Sequence, residues 1–231
     1  MLANAVDYQK GYACIFGESG SGKTMVLNAY ATHAWRGYVH AIKINGQAGG
    51  YTEFVQSILG QLRIETRGKE PGWLRRRLQL AAQLHRAKTK PLVLLVDNAH
   101  RLDDEVLSQL HLLIDSSAGQ ETVLQVVLAG TADLYKRLRS SILAPVNQRL
   151  VARAVLHPIP ADDRIDFIHT IMNQKSMGPS YELPQRTLRR IARKSRGNPG
   201  DIVTLTKEEI RRLHAKVHPR QLRTRTESQL T

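Results

Sequence analysis

A chain of 231 residues with 42% apolar side chains can bury a sizeable core and has room for one α/β domain plus a small second one. Cys14 is the only cysteine, which excludes an intramolecular disulfide framework, and no stretch nears the roughly 18 uninterrupted apolar residues of a membrane span, so the expectation is a cytoplasmic protein with no membrane partner. The 34 Lys+Arg against 20 Asp+Glu leave a formal net charge of +14, an excess that attracts polyanions; from Arg186 onward thirteen basic residues stand against four acidic ones.

Tyr12 to Phe16 is a short apolar run ending at Gly17, and Lys23-Thr24-Met25-Val26-Leu27 opens a helical pattern to about Trp35. Tyr38 to Ile44 alternates apolar and polar positions, which predicts a second strand. A turn at 45–50 precedes a helix over Tyr51 to Leu62, with Phe54, Ile58, Leu59 and Leu62 at helical spacing. A proline-containing break from Glu65 to Gly72 leads to a helix over Trp73 to Ala87, whose Arg75, Arg76 and Arg77 face outward if Leu74, Leu78, Ala81 and either Leu84 or Ala82 face in. Leu92 to Val96 is continuously apolar, as in a strand buried on both faces at the centre of a parallel sheet. A helix follows at about Asp103 to Ser116, then a strand at Val123 to Leu128, a helix at Ala132 to Leu138 and a last strand at Val151 to Leu156, stopped by Pro158-Ile159-Pro160. Beyond that the pattern is helical: Ala161–Gln174, Pro184–Ser195 and Gly200–Val217.

Between the first strand and its helix stands Gly17-Glu18-Ser19-Gly20-Ser21-Gly22-Lys23-Thr24. Glycines at these positions let backbone N–H groups wrap phosphate oxygens at a helix N-terminus, where the helix dipole also favours negative charge. Lys23 then reaches the β- and γ-phosphates and Thr24 offers its hydroxyl to Mg²⁺, which makes the loop a nucleoside-triphosphate site, for ATP by preference. Such a loop needs a carboxylate on a neighbouring strand for the metal's water shell, and Asp97 at the end of Leu92–Val96 supplies one. The next residue is Asn98, an amide that can orient water but cannot accept its proton; Asp103, Asp104 or His100 are alternative substitutes, or else capping and surface groups. Thr131, after the strand ending at Leu128, is placed to touch a γ-phosphate or the attacking water, or equally to cap the helix at Ala132. Arg149 and Arg153 flank the last strand, where an arginine can reach a neighbouring subunit's nucleotide.

Taken together, Gly17–Thr24, Leu94-Leu95-Val96-Asp97-Asn98-Ala99-His100-Arg101-Leu102, Val127-Leu128-Ala129-Gly130-Thr131, Asn147-Gln148-Arg149-Leu150-Val151-Ala152-Arg153 and Arg196-Gly197-Asn198-Pro199 resemble the AAA+ ATPases. Within them the chain resembles the ExeA/GspA-like group and the transposition regulators of the MuB, TniB and TnsC kind. The resemblance implies an α/β fold: a P-loop three-layer domain with a parallel five-stranded sheet (residues 1–160), then a small all-helical AAA+ lid (161–217) and a basic tail (218–231) expected to be disordered. It also implies Thr131 as sensor 1, Arg149 as arginine finger with Arg153 a second candidate, and self-association into a ring or filament. Two positions depart from the family pattern: Asn98 stands where many members carry glutamate, and Gly200 where the lid motif usually continues with arginine.

The expected function is an ATP-dependent oligomer that binds duplex DNA without sequence preference and regulates transposition, with slow hydrolysis and a transposase or other recombination protein as partner. The basic excess favours DNA, with Arg75, Arg76, Arg77, Arg189, Arg190, Arg193 and Lys194 as candidate contacts. The alternatives are an ExeA-like ATPase of secretion or envelope assembly, and an ATP-gated scaffold that does not hydrolyse.

Overall fold

In a computed structural model of the chain, the described residues are 12–34, 39–47, 49–88, 92–114, 124–173 and 182–217. Two compact units divide it: Met1–Glu18 with Gly22–Leu156, and Ser19–Ser21 with His157–Thr231.

The first unit is built on five strands, β1 (Tyr12–Phe16), β2 (His40–Asn45), β3 (Leu92–Asp97), β4 (Leu124–Gly130) and β5 (Leu150–Val155), all paired in parallel in the order β2-β3-β4-β1-β5. Parallel neighbours require crossovers, and helices supply them: α1 (Lys23–Ala34), α2 (Tyr51–Gln61), α3 (Pro71–Lys88), α4 (Asp104–Gln109), α5 (His111–Ile114), α6 (Ala132–Leu138) and α7 (Ala144–Gln148). Alternation along the central strands makes two cores. Leu92, Leu94, Val96, Leu124, Val126 and Leu128 pack with Ile58 and Leu59 of α2 and Leu74 and Leu78 of α3, whereas Val93, Leu95, Val127 and Ala129 pack with Leu27 of α1. Covered on both faces, β3 and β4 are buried at every described position, which is why they read as apolar runs rather than alternating ones.

Where boundaries differ from the sequence reading, the reasons are local. Helix α3 starts at Pro71, inside the expected break, because proline's fixed φ and missing N–H suit a first helical turn. Its buried stripe is Leu74, Leu78 and Ala82; Leu84 is exposed. The single helix expected over 103–116 is two, α4 and α5, pinched by i→i+3 bonds from Leu110 N to Leu107 O and Leu113 N to Leu110 O, with the His111 ring paired to the Ser108 carbonyl; residues 115 and 116 lie outside the described residues. Strand β4 runs on to Gly130 and β5 begins at Leu150. Helix α7 has no counterpart in the sequence reading; Pro145 sits in its first turn. Residues 35, 38 and 123, which bounded expected elements, lie outside the described residues.

The second unit holds α8 (Arg164–Met172), α9 (Gln185–Lys194) and α10 (Pro199–Val217) around Ile168, Ile171, Leu183, Leu188, Ile191 and Ile202. Arg164 braces it, donating to the carbonyls of Ile159, Ala192 and Arg196 at 3.0, 3.2 and 3.2 Å. Helix α8 begins three residues later than expected, because 161–163 form a turn; the expected tail, 218–231, lies outside the described residues. No helix among the described residues is long and apolar enough to cross a membrane.

Candidate functional site

The carboxyl ends of β3, β4 and β1 are adjacent, and the turns that leave them carry the sequence motifs. The glycine loop leaves β1 at Gly17, whose N–H donates to Gly130 O at 3.2 Å and so ties the loop to the end of β4. Gly20 and Gly22 have φ of +79° and +95°, a region that an L side chain adopts only under strain, and a Cβ on Gly22 would meet nothing within 4 Å. Lys23, 7% exposed, turns its Nζ onto the loop itself and donates to Gly17 O at 2.8 Å and Glu18 O at 2.7 Å. Burial pushes its ammonium below the usual lysine range, and the charge of Asp97 opposes that shift.

Asp97 is 4% exposed and organises the next turn. Thr24 Oγ1 donates to its Oδ2 at 2.7 Å, Asn98 N to its Oδ1 at 3.0 Å, and Lys43 Nζ stands 3.7 Å from Oδ2 while also donating to Asn28 Oδ1 at 2.6 Å. Gly46 N donates to Asp97 O at 2.6 Å, and a Cβ on Gly46 would lie 2.6 Å from Asn98 O, so the turn after β2 closes on β3 only with glycine there. A hydroxyl and a carboxylate already in contact, beside a glycine loop that leads into the N-terminus of α1, are oxygen donors of the kind Mg²⁺ takes together with phosphates, so these residues fit a Mg²⁺-bound triphosphate.

Asn98 is left-handed, φ 52° and ψ 35°, a conformation that asparagine tolerates better than most residues. Its amide donates to Asn45 Oδ1 at 2.8 Å and is thus engaged by β2. Thr131 occupies the N-cap position of α6, but its side chain makes no cap bond; Oγ1 is buried with no hydrogen-bond partner. Of the alternatives to Asn98, Asp104 is held by Arg137 at 2.6 Å, and Asp103 makes no cap bond. His100, in a single 3₁₀ turn over Ala99–Arg101, has its Nδ1 buried without a partner.

The structure sets Arg149 at the opposite end of the sheet. It immediately precedes β5, and its carbonyl accepts from Tyr12 N, the first residue of β1, at 2.9 Å. Since β1 rises about 3.3 Å per residue, roughly 13 Å of strand separates that level from Phe16 and the loop. Arg153 lies midway, paired with Cys14 in register, and donates to Asn147 Oδ1 at 2.8 Å.

The loop apex, Ser19–Ser21, groups with the second unit. Asn198 Nδ2 donates to Ser19 O at 2.8 Å, its Oδ1 accepts from Gly200 N and Asp201 N at the start of α10, and Gly200 N also lies 2.9 Å from Gly20 O. A Cβ on residue 200 would fall 2.9 Å from Gly20 Cα. This close backbone approach is a physical reason for glycine where the family pattern has arginine. Neither the grip of Asn198 on the loop nor the contact of Lys43 with Asp97 was visible in the sequence reading; the alternation of β2, with Lys43 among apolar neighbours, was the one available signal.

Of the candidate DNA contacts, Arg76 and Arg77 are exposed on α3 and Arg75 is half-buried. On α9, Arg189, Arg190, Arg193 and Lys194 are all exposed, opposite the buried Leu188 and Ile191. Arg186, Thr187, Arg189, Arg190 and Arg193 line an open concavity of about 600 Å³. Arg190 pairs with Glu209 at 2.7 Å, and Glu209 is shared with Arg212. Arg186 joins this surface without having been singled out beforehand.

Comparison with known proteins adds three findings. The family model described as AAA domain matches residues 6–138, a span that contains the glycine loop, Asp97 and Thr131 and ends before Arg149, Arg153 and the 196–199 motif. General secretion pathway protein A of Aeromonas hydrophila is 40% identical over 77 residues, which are 33% of this chain and 14% of that protein. Among solved structures, the Aeropyrum pernix ORC2 protein aligns with a TM-score of 0.65 at 17% identity over 94% of this chain and 61% of its own. The Aeropyrum pernix ORC1 protein in complex with DNA aligns with 0.65 at 15% over 95% and 58%, and the Thermotoga maritima RuvB Holliday junction branch migration motor with 0.52 at 18% over 89% and 56%. The chain thus spans a seventh of its curated relative and about three fifths of these structures, and at such identities the structures show the shared fold.

Proposed function

The chain belongs to the AAA domain family, and from that premise we propose that it binds ATP with Mg²⁺ through residues 17–24, self-associates when it does so, and engages duplex DNA without sequence preference. The observation that carries this reading is the contact of the Thr24 hydroxyl with the buried carboxylate of Asp97, beside a glycine loop whose lysine is already inside it. Lys23 exchanges two loop carbonyls for phosphate oxygens on binding, so its burial costs little further desolvation. Bound Mg²⁺ supplies positive charge against the β- and γ-phosphate oxygens. Thr131 offers a buried hydroxyl with no competing partner, which suits a sensor of the terminal phosphate. Because Arg149 stands a strand's length from its own loop, its proposed role is in a neighbouring copy's site, in a ring or filament.

The concave arginine face of α9 and the net charge of +14 support a polyanion partner, and Lys and Arg that neutralise backbone phosphates bind DNA with little regard to sequence. We place the protein with the transposition regulators it resembles, as a target-marking ATPase with a transposase or other recombination protein as partner. With Asn98 committed to Asn45, hydrolysis is slow and the nucleotide acts first as an assembly switch.

The test measures duplex-DNA binding with no nucleotide, ATP, ADP and a non-hydrolysable analogue, at several salt concentrations, beside phosphate release. ATP-dependent binding with log affinity falling steeply in log salt supports the reading, and the slope should shrink by about 0.9 for each phosphate contact removed by Arg189→Ala or Arg193→Ala. Binding indifferent to both nucleotide and salt sinks it. A second reading, a secretion or envelope-assembly ATPase, is favoured by the 40% identity to general secretion pathway protein A. It gains if ATP is bound and turned over while DNA has no effect on either.

A further inference from the structure

The turn after Asp97 contains a group that the proposed function leaves unused. Arg137 of α6 pins this turn, donating to His100 O at 2.8 Å and to Leu102 O at 2.6 Å while holding Asp104 at 2.6 Å, so the backbone that carries His100 is fixed from a second element. The turn is thereby held, and the Nδ1 of the His100 ring is buried and unpartnered. Burial of a hydrogen-bonding atom without a partner is unfavourable, and such orphans concentrate where a ligand or water completes them. A second orphan, Thr131 Oγ1, lies just past the end of β4, the strand next to β3.

His100 stands in the turn that follows Asp97, at the carboxyl end of β3. Burial is the main cause that pushes it below the ordinary histidine value, and Arg101 of its own turn, Lys23 of the glycine loop and Arg137 of α6 push the same way, while Asp133 of α6 opposes them. A neutral imidazole within the field of the phosphate-binding lysine is an acceptor at neutral pH. Asn98, by contrast, has no acceptor basic enough for a proton, and its amide faces Asn45.

We propose that His100 is a catalytic residue of this site, accepting the proton of the water that attacks the γ-phosphate. The proposal rests on the reading of residues 17–24 as an ATP site. In the step, the water oxygen forms a bond to the γ-phosphorus, its proton passes to Nδ1, and the bond from that phosphorus to the β–γ bridging oxygen breaks, leaving ADP, phosphate and an imidazolium that returns its proton to solvent. The γ-phosphate's negative charge offsets the nearby cations, so His100 becomes a better base when the triphosphate is present.

The experiment follows the His100 ring by NMR in the full-length protein with labelled histidine, assigned by His100→Gln. It is titrated against pH alone, with ADP and Mg²⁺, and with a non-hydrolysable ATP analogue and Mg²⁺; nucleotide affinities are measured by calorimetry in parallel. The expected result is a His100 pKa higher by about one unit with the triphosphate analogue than with ADP. His100→Gln is expected to slow phosphate release by about tenfold or more while both affinities stay as in the parent. The proposal falls if the analogue binds and the His100 titration does not move, if the parent releases no phosphate, or if His100→Gln turns over at the parent rate. Failure of both nucleotides to bind is a different outcome, visible in the calorimetry alone, and it takes the ATP-site reading down as well.

Discussion

The two ends of the five-stranded sheet are built on opposite principles. At the carboxyl end, Thr24, Asn98 and Lys43 meet Asp97 at hydrogen-bond and ion-pair distances, Lys23 bonds two carbonyls of the glycine loop, and glycine is required where backbones meet. At the amino end, Arg149 is a side chain whose proposed target lies in another molecule. A cluster with contacts among its own members is organised before any ligand arrives; the proposed target of Arg149 is met only on assembly. Substitutions at the first end should therefore act on an isolated chain, and those at the second only on an assembly.

The largest expected effect is at the amino end. Arg149→Ala should reduce the turnover of the assembled protein by up to about 10³-fold while leaving ATP affinity unchanged, measured as phosphate release against protein concentration beside equilibrium binding. An equal loss of affinity would erase the contrast between the ends. Next comes Lys23→Ala, which removes the ammonium proposed to meet the phosphates. It should weaken triphosphate binding about 10- to 100-fold with no loss of thermal stability, since the buried ammonium is itself a desolvated charge. A destabilised protein would mean that Lys23 is structural. Gly46→Ala should cost about 1–3 kcal/mol in denaturant unfolding, because the added carbon meets Asn98 O and must part the ends of β2 and β3. Unchanged stability would show that this end yields more easily than its spacing suggests.

The smallest effect is in pH. His40 is held below its ordinary value, mainly by burial and then by His85, whose ring centroid is 4.9 Å away, and His100 is lowered as described. Both bind protons more readily when unfolded, so the stability they preserve is complete above the unfolded value of 6.5 and is lost as pH falls through their lower folded values. Melting temperatures from pH 8 to 5 should decline below about 6.5, and His40→Gln should flatten part of that decline.

The parallel sheet was legible because burial on both faces writes itself as uninterrupted apolar runs, and Gly17–Thr24 and Asp97 because their chemistry fixes residue type at fixed spacing. What escaped depends on relations that one-dimensional pattern does not carry. The pinch between α4 and α5 is a matter of i→i+3 bonding within a run that keeps helical spacing throughout. Asn98's left-handed backbone and its bond to Asn45 depend on a residue 53 positions away, and Asn198's bond to Ser19 on one 179 positions away. Thr131 has the residue type of a cap and the position of a cap, yet makes no cap bond, a difference visible only in space.

Placing Arg149 and the glycine loop at opposite ends of one sheet gives each copy a front and a back. If the arginine of one copy completes the loop of the next, an open row of n molecules holds n − 1 complete sites and one terminal loop that lacks its partner, whereas a closed ring holds n. A growing row would then hydrolyse along its length but not at one of its tips, so that the tip keeps its triphosphate longest and the row has an intrinsic direction.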